Sequence, residues 1–266
     1  MKVIHNIPLE TSRQPALPYR NVIVYGDYWP VVSAMGGIAE IIMPDCYFHP
    51  CYSINALKEL QQEISDARFI FCLRPREHVY LFYFLTHILS RSPLMVITDS
   101  LLPTDRVVLN TSADVVTVSH DELSSFYNCL CKSNYPERKI NENPLFNGLK
   151  LLTEPGFITR TEGLPVVFSS GSDLIFFMNE LLQQYMHQKG VTRFQLRILE
   201  KMRSEPTLKS LATSLDISIK TLSYNKSYAL NKLGVAGKDY LAMYGTHFCQ
   251  RCQKTSFSVP PPRDRI

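Results

Sequence analysis

Hydrophobic and polar positions form two alternating patterns along the first half of the chain. Short, continuous apolar runs predict strands, and longer segments with apolar residues three or four positions apart predict helices. The predicted strands are 22–25, one near Tyr47, 68–73, 94–98 and 114–118, and the predicted helices between them are 30–42, 54–64, 78–89, 104–109 and 122–130. Strands that alternate with helices in this way predict a parallel sheet covered on both faces.

The stretch from 133 to 188 is less regular. Its many Pro and Gly residues predict a linker with local structure and a hairpin at 156–168, followed by an amphipathic helix that ends near His187. The apolar face of that helix contains Leu174, Phe177, Met178, Leu181, Leu182, Tyr185 and Met186. A face of this width requires a cover, which is either the neighbouring domain or a second subunit.

Residues 207 to 235 predict two helices joined by a tight turn. Thr207 is suited to cap the first helix, and Ser218 is suited to cap the second, which ends at Gly234. The inward positions are Leu208, Leu211, Ala212, Leu215, Leu222, Ala229, Leu230 and Leu233. The outward positions of the second helix are rich in cationic and hydroxyl side chains, as in helices that enter the DNA major groove.

Charge is concentrated in the same region. Between residues 189 and 239 there are ten Lys or Arg and four Asp or Glu, a net charge of +6 in a chain whose total is +4. The candidate DNA contacts are Lys209, Lys220, Thr221, Ser223, Tyr224, Lys226 and Ser227. We expect Lys220 and Tyr224 nearest the bases, and Lys209, Ser223 and Lys226 at phosphates. The alternative is a helical hairpin whose basic face is merely solvated.

These residues resemble the LuxR/NarL-type DNA-binding domain. The matching positions are Val191-Thr192, Ile198-Leu199, Lys209, Leu211-Ala212, Leu215, Ile217-Ser218, Thr221 and Lys232-Leu233-Gly234-Val235. The resemblance implies an all-α helix-turn-helix domain over 189–248 that binds double-stranded DNA. It also implies a fourth helix at 239–248, where relatives pair their subunits.

Together with that domain, the alternating first half resembles a receiver domain of response regulators, with a doubly wound, flavodoxin-like sheet. That family uses acidic residues after the first strand, an aspartate after the third and a lysine after the fifth. Here Asp27 has no acidic neighbour, the third strand ends at Cys72-Leu73-Arg74 without a carboxylate, and Ser119-His120 follow the fifth. We therefore expect a degenerate receiver without a phosphoacceptor, and we interpret Asp27, Thr98 and Asp99 as turn and cap residues rather than metal ligands.

The seven cysteines include one close pair, Cys249-Gln250-Arg251-Cys252. A single CxxC lacks the four ligands of a structural zinc site, so we expect no metal and no cofactor. A second hypothesis keeps the DNA-binding domain but lets the N-terminal domain sense a small molecule or the redox state of cysteines. The sequence shows neither a catalytic nucleophile paired with a general base nor a phosphate-binding loop, so we do not expect an enzyme.

The sequence thus predicts a flexible arm (1–20), a receiver-like domain (21–132), a linker with an amphipathic helix (133–188), a DNA-binding domain (189–248) and a mobile tail (249–266). Without an export signal or a membrane-spanning run, we expect a cytoplasmic protein that associates with the nucleoid when bound to DNA. The predicted function is a sequence-specific transcriptional regulator controlled independently of phosphorylation, acting as a homodimer or as a heterodimer with another LuxR-type regulator. In this it is similar to auxiliary regulators of the Rcs type, RcsA and BglJ.

Overall fold

The N-terminal half folds as a five-stranded parallel sheet flanked by helices. The computed structural model describes residues 21–64, 67–88, 94–111, 115–131, 142–153, 164, 167–205, 207–235 and 244–259. The strands are β1 (Asn21–Gly26), β2 (Tyr47–Cys51), β3 (Arg68–Cys72), β4 (Leu94–Thr98) and β5 (Val115–Ser119), in the order β2-β1-β3-β4-β5. This is the flavodoxin-like order of a doubly wound sheet, and it confirms the predicted receiver-like fold. The predicted arm at 1–20 lies outside the described residues.

Ten α-helices lie in the described ranges. They are α1 (Trp29–Ile42), α2 (Ile54–Glu63), α3 (Val79–Ile88), α4 (Pro103–Asn110), α5 (His120–Leu130), α6 (Pro144–Thr153), α7 (Gly171–Gln188), α8 (Arg193–Lys201), α9 (Leu208–Ser214) and α10 (Ile219–Lys232). Two 3-10 turns, Pro75–Glu77 and Gln250–Cys252, complete the regular elements. Among the residues described, none of the helices has the length and apolar character needed to cross a membrane.

Alternation along the strands divides the core between the two faces of the sheet. Ile23, Phe69 and Phe71 face the core beneath α2, α3 and α4. Val22 and Ile70 face the opposite core, which α1, α5 and α6 cover. Because both faces are buried, the strands carry continuous apolar runs instead of an alternating pattern, which is why the sequence identified them.

Helix α6 lies in the stretch that the sequence analysis assigned to a linker. Its Leu145, Leu149 and Leu152 are fully buried against β4, β5 and α5. Gly148 permits this close packing, since a Cβ there would meet Val116 at 2.9 Å. The prediction missed α6 because Pro144 and Gly148 were taken as turn signals, whereas Pro144 begins the helix, where the missing N–H costs nothing. The predicted hairpin at 156–168 lies almost wholly outside the described residues.

Helix α7 joins the two halves of the protein. Its Leu174, Met178 and Leu182 are buried in the same continuous core as Val107 and Val108 of α4. The broad apolar face is therefore covered by the neighbouring domain, the first of the two predicted alternatives. That core continues into the C-terminal helical domain through Val191, Leu196, Leu199, Ala229, Leu230, Leu233, Val235 and Phe248.

Helices α8, α9 and α10 form the compact unit that the sequence predicted. Thr192, Thr207 and Ser218 are their N-caps, and each side chain accepts a backbone N–H bond from three residues further on. A separate small core holds Ile198, Leu211, Ala212 and Leu222 together. Leu208, which was predicted to face inward, begins α9 and is 40% exposed. The first half of the predicted fourth helix, 239–243, lies outside the described residues. Of its other positions, Tyr244 and Gly245 are helical and 246–248 are not.

Candidate nucleic-acid interface and the carboxyl edge of the sheet

A tight turn fixes the angle between α9 and α10. Asp216 has a positive φ of 54° and the Ile217 N–H donates to the Ala212 carbonyl at 3.1 Å, which ends α9. Aspartate tolerates this left-handed conformation better than most residues. Ser218 then starts α10 by accepting the Thr221 N–H at 3.0 Å. Two helices joined by such a turn have the arrangement found in helix-turn-helix domains.

The two faces of α10 differ in burial and in chemistry. Leu222 and Ala229 are fully buried. The opposite face exposes Lys220, Thr221 and Tyr224, together with Ser227, Tyr228 and Asn231. The first turns of α10 therefore present an ammonium, hydroxyls and an aromatic ring to solvent at the positive end of the helix dipole.

An aromatic pair orders this outward face. Tyr224 is 68% exposed, and its ring stacks on that of Tyr228 with centroids 5.9 Å apart and planes 12° apart. Lys232 lies 4.6 Å from the Tyr228 ring centroid and donates to the Gly190 carbonyl. Stacking on Tyr228 restricts the Tyr224 side chain before any partner arrives, which reduces the entropy lost on binding.

The structure brings six of the seven candidate contacts together on α10. Lys220, Thr221, Tyr224 and Ser227 are exposed, while Ser223 and Lys226 are half-buried at the flank. Lys209, the seventh, is exposed in the first turn of α9. The Thr221 hydroxyl is 2.8 Å from that of Ser218, so part of its hydrogen-bonding capacity is used within the cap.

The carboxyl edge of the sheet is the second cluster of polar groups. Gly26 pairs with Cys72 across β1 and β3, and Asp27 follows Gly26. The Cys72 side chain, at the end of β3, is 2% exposed. Asp27 contacts His78 Nε2 at 3.4 Å and forms an ion pair with the Lys254 ammonium. Within the described residues, no group of three or more metal-binding side chains occurs.

Lys254 reaches this edge from the C-terminal segment 248–257. Its ammonium also lies 2.8 Å from the Glu77 carboxylate, and its backbone N–H donates to the Glu77 carbonyl at 2.8 Å. Lys254 thus joins the C-terminal segment to the carboxyl edge of the sheet. No local pattern relates residues 27 and 254, so the sequence did not predict this contact.

Residues on either side of Lys254 hold the segment in place. The Gln253 side chain accepts the Val79 N–H at 2.8 Å and donates to the Arg76 carbonyl at 2.9 Å. Phe257 stacks on Tyr83, with ring centroids 6.0 Å apart. The sequence predicted a mobile tail from residue 249, and it gave no sign of these contacts. Residues 260–266 of that tail lie outside the described residues.

A chain of ion pairs extends from this edge to α4. Arg74 lies 2.8 Å from Asp99 and 3.2 Å from Glu77 at the surface. Arg76 and Asp105 form a buried pair at 2.6 Å, in which the two side chains are 7% and 0% exposed. Asp99 thus pairs with arginines and also accepts the Ser100 N–H at 2.7 Å, as expected of a turn residue. Asp27 pairs with Lys254 and does not cap α1, whose N-cap is Tyr28.

Asp27→Asn is expected to make stability less dependent on pH. The hydrogen bond from His78, opposed by burial but reinforced by Lys254, holds the pKa of Asp27 well below its ordinary value of 3.8. A lowered carboxyl pKa stabilises the folded state above the ordinary value, and this contribution is lost as pH falls toward the folded pKa. At pH 7 we expect the variant to lose roughly 1 kcal/mol, because the Lys254 side chain is half-exposed.

Urea unfolding followed by circular dichroism from pH 7 to pH 2 measures the effect. The difference in the free energy of unfolding between the wild type and Asp27→Asn should decrease below about pH 4. Asp45→Asn, an exposed carboxylate in the loop before β2, is the control. A difference that stays constant over the whole range would contradict the role given to the Asp27 charge.

Comparison with solved structures finds proteins of similar fold, whereas comparison of sequences finds no match. No protein-family profile and no curated protein matches the chain. Its structure is similar to that of the two-component response regulator RcsB in complex with DNA, with 19% identity, 85% of this chain and 97% of that chain covered, and a TM-score of 0.49. It is also similar to RcsB from Salmonella enterica serovar Typhimurium, bound to promoter P1flhDC in the presence of phosphomimetic BeF3-. The identity is 17%, 85% of this chain and 97% of that chain are covered, and the TM-score is 0.46. For the response regulator StyR, the identity is 13%, 84% of this chain and 96% of that chain are covered, and the TM-score is 0.30.

Proposed function

We propose that this protein is a sequence-specific DNA-binding transcriptional regulator in which α10 is the recognition helix. The observation that carries the proposal is the exposed outward face of α10, where Lys220, Thr221 and Tyr224 stand on a helix fixed by a small core and three capped N-termini. A net charge of +6 over residues 189–239 supports it, because cationic side chains gain affinity for DNA by releasing counterions. The arrangement leaves this face uncovered by the receiver-like domain within the described residues.

Two groups of contacts have different roles in this proposal. Lys220 and Tyr224 lie at the first turns of α10, the part of a recognition helix that meets base edges. Lys209, at the start of α9, and the flanking Ser223 and Lys226 serve phosphates. Base contacts determine the sequence that is bound, whereas phosphate contacts determine affinity and its dependence on salt.

Lys209→Ala is expected to weaken binding about equally for every DNA sequence. Losing one phosphate contact should reduce the slope of log affinity against log salt by about 0.9. Fluorescence anisotropy with a selected genomic fragment and a shuffled fragment, each from 50 to 200 mM salt, measures both quantities. Tyr224→Ala should instead reduce the difference in affinity between the genomic fragment and the shuffled fragment.

Lys58→Ala is the matched control, since it removes the same charge from α2, where Lys58 lies over the Phe84 ring in the receiver-like domain. An unchanged salt slope for Lys209→Ala would remove that residue from the interface. Failure of the wild-type protein to prefer any genomic fragment over shuffled DNA would overturn the proposed function as a whole.

We infer that control of this regulator does not use phosphorylation. The end of β3 offers the buried thiol of Cys72, and the nearby carboxylates of Asp27 and Asp99 are held in ion pairs with Lys254 and Arg74. Incubation with acetyl phosphate and magnesium should leave the intact mass of the protein unchanged. A stoichiometric phosphoryl adduct that alters DNA affinity would contradict the inference.

We also propose that the protein binds DNA as a homodimer or as a heterodimer with another LuxR-type regulator. The resemblance to Rcs-type auxiliary regulators supports this proposal. Purification under gentle conditions, followed by native mass measurement of the DNA complex, distinguishes the two pairings. A complex that contains one copy of this chain and no other protein would contradict both.

A further inference from the structure

Two cysteines of the C-terminal segment lie in one tight turn. Cys249 and Cys252 flank the 3-10 turn Gln250–Cys252, and the Cys252 N–H donates to the Cys249 carbonyl at 3.2 Å. A turn closed in this way holds its first and fourth Cα atoms within about 7 Å. A disulfide bond spans Cα separations of about 4.4–6.8 Å, a range that such a turn permits.

The two thiols differ in acidity. Burial raises the pKa of Cys249, but hydrogen bonds from the Cys252 thiol and from the N–H groups of Arg251 and Cys252, together with Arg203, outweigh it and lower the pKa. Burial, and then the hydrogen bond and charge of Cys249, raise the pKa of Cys252 to about 11. A more acidic thiol beside a less acidic one provides an attacking and a resolving cysteine.

Access separates this pair from three of the other five cysteines. Cys249 and Cys252 are both partly exposed, whereas Cys46, Cys51 and Cys72 are buried in the receiver-like domain. The redox hypothesis drawn from the sequence assigned sensing to the N-terminal domain. Two further accessible cysteines, Cys129 and Cys131, lie at the end of α5 in that domain. The pair that one tight turn brings together lies instead in the segment that docks on it.

We propose that Cys249 and Cys252 form a reversible dithiol-disulfide site that reacts with low-molecular-weight disulfides, and that docking of the C-terminal segment favours the disulfide. The Cys249 thiolate attacks one sulfur of the small disulfide, which forms a mixed disulfide and releases one small thiol. Cys252 then loses its proton to solvent and attacks the Cys249 sulfur, which releases the second small thiol. The two protein thiols are oxidised, and one small disulfide is reduced to two thiols.

Gln253 connects this chemistry to the receiver-like domain. Its side-chain amide donates both to the Cys249 carbonyl at 3.3 Å and to the Arg76 carbonyl at 2.9 Å. Its oxygen accepts the Val79 N–H at 2.8 Å. Docking therefore holds the turn in the conformation that brings the thiols together, and a change in docking changes the equilibrium between dithiol and disulfide.

The proposal is tested on the full-length protein equilibrated with reduced and oxidised glutathione at varied ratios, quenched with acid and alkylated. Trypsin cleaves after Arg251, so Cys249 and Cys252 fall on different peptides that stay joined only by a disulfide. We expect the joined peptides to appear as the buffer becomes more oxidising and to separate on reduction. In Cys252→Ser, Cys249 should accumulate the mixed disulfide with glutathione.

Gln253→Ala tests the link to docking. The variant should require a buffer roughly fivefold more oxidising for half-conversion, as expected from the loss of a hydrogen-bonding side chain. Gln183→Ala, which removes a glutamine that bonds Glu200 on the surface, should leave the midpoint unchanged. Absence of joined peptides, or a mixed disulfide that persists in the wild type, would overturn the redox site. An unchanged midpoint in Gln253→Ala would overturn the coupling. Neither readout depends on DNA.

Discussion

Arg76→Met is expected to lower the free energy of unfolding by about 3–5 kcal/mol, because it leaves a buried carboxylate without its cation. Asp105 is fully buried, and the Arg76 guanidinium lies 2.6 Å from it. The same carboxylate accepts the N–H groups of Arg76 at 2.9 Å and Leu102 at 3.0 Å, so it anchors both the 3-10 turn and the start of α4. Methionine keeps the apolar stem and removes only the charge and its hydrogen bonds.

Urea unfolding at neutral pH measures this loss. Arg74→Met is the matched control, because Arg74 belongs to the same turn but pairs at the surface, and it should cost no more than about 1 kcal/mol. Adding Asp105→Asn to Arg76→Met should recover part of the loss, since the unpaired charge is then gone. Equal losses for Arg74→Met and Arg76→Met would contradict a dominant role for the buried pair.

Leu222→Ala is expected to lower the free energy of unfolding by about 2–5 kcal/mol and to abolish DNA binding at salt concentrations where the wild type binds. Leu222 is fully buried in the small core of Ile198, Leu211 and Ala212. This core has few members, so a cavity in it removes a large part of the packing that fixes α10. The outward face then loses its orientation even though none of its residues has changed.

Ile219→Ala is the control for this variant. Ile219 begins α10 but is 49% exposed, and its truncation should change stability by about 0.5 kcal/mol or less. Hydrogen exchange of the α10 amides, measured beside DNA affinity, locates the effect. Wild-type exchange and affinity in Leu222→Ala would show that the small core does not hold α10.

Sequence patterns predicted the elements whose burial is uniform or strictly periodic. Strand β3 was identified because it is buried on both faces and therefore continuously apolar, and α10 because Leu222, Ala229 and Leu230 recur at helical spacing. Helix α6 escaped because its Gly148 marks a close approach to Val116 and not a turn. A sequence alone does not distinguish a glycine that permits close packing from a glycine that forms a turn.

The candidate site was predictable only in its local part. The outward face of α10 follows from helical periodicity, so Lys220 and Tyr224 could be placed from the sequence. The ion pairs of Lys254 with Asp27 and Glu77 join residues that are far apart in the chain, and no period or motif relates them. Prediction therefore treated Asp27 as a cap and Lys254 as part of a mobile tail.

The contact between Asp27 and Lys254 also bears on how the protein is made. These residues are 227 positions apart, so the sheet leaves the ribosome long before its acidic edge can meet the ammonium that pairs with it. Chains grow from the N-terminus at about 5–20 residues per second, so that edge and the Tyr83 ring on which Phe257 stacks stay uncovered for roughly ten seconds or more. During this interval a chaperone or a second nascent chain has access to a surface that the finished protein covers with its own C-terminal segment.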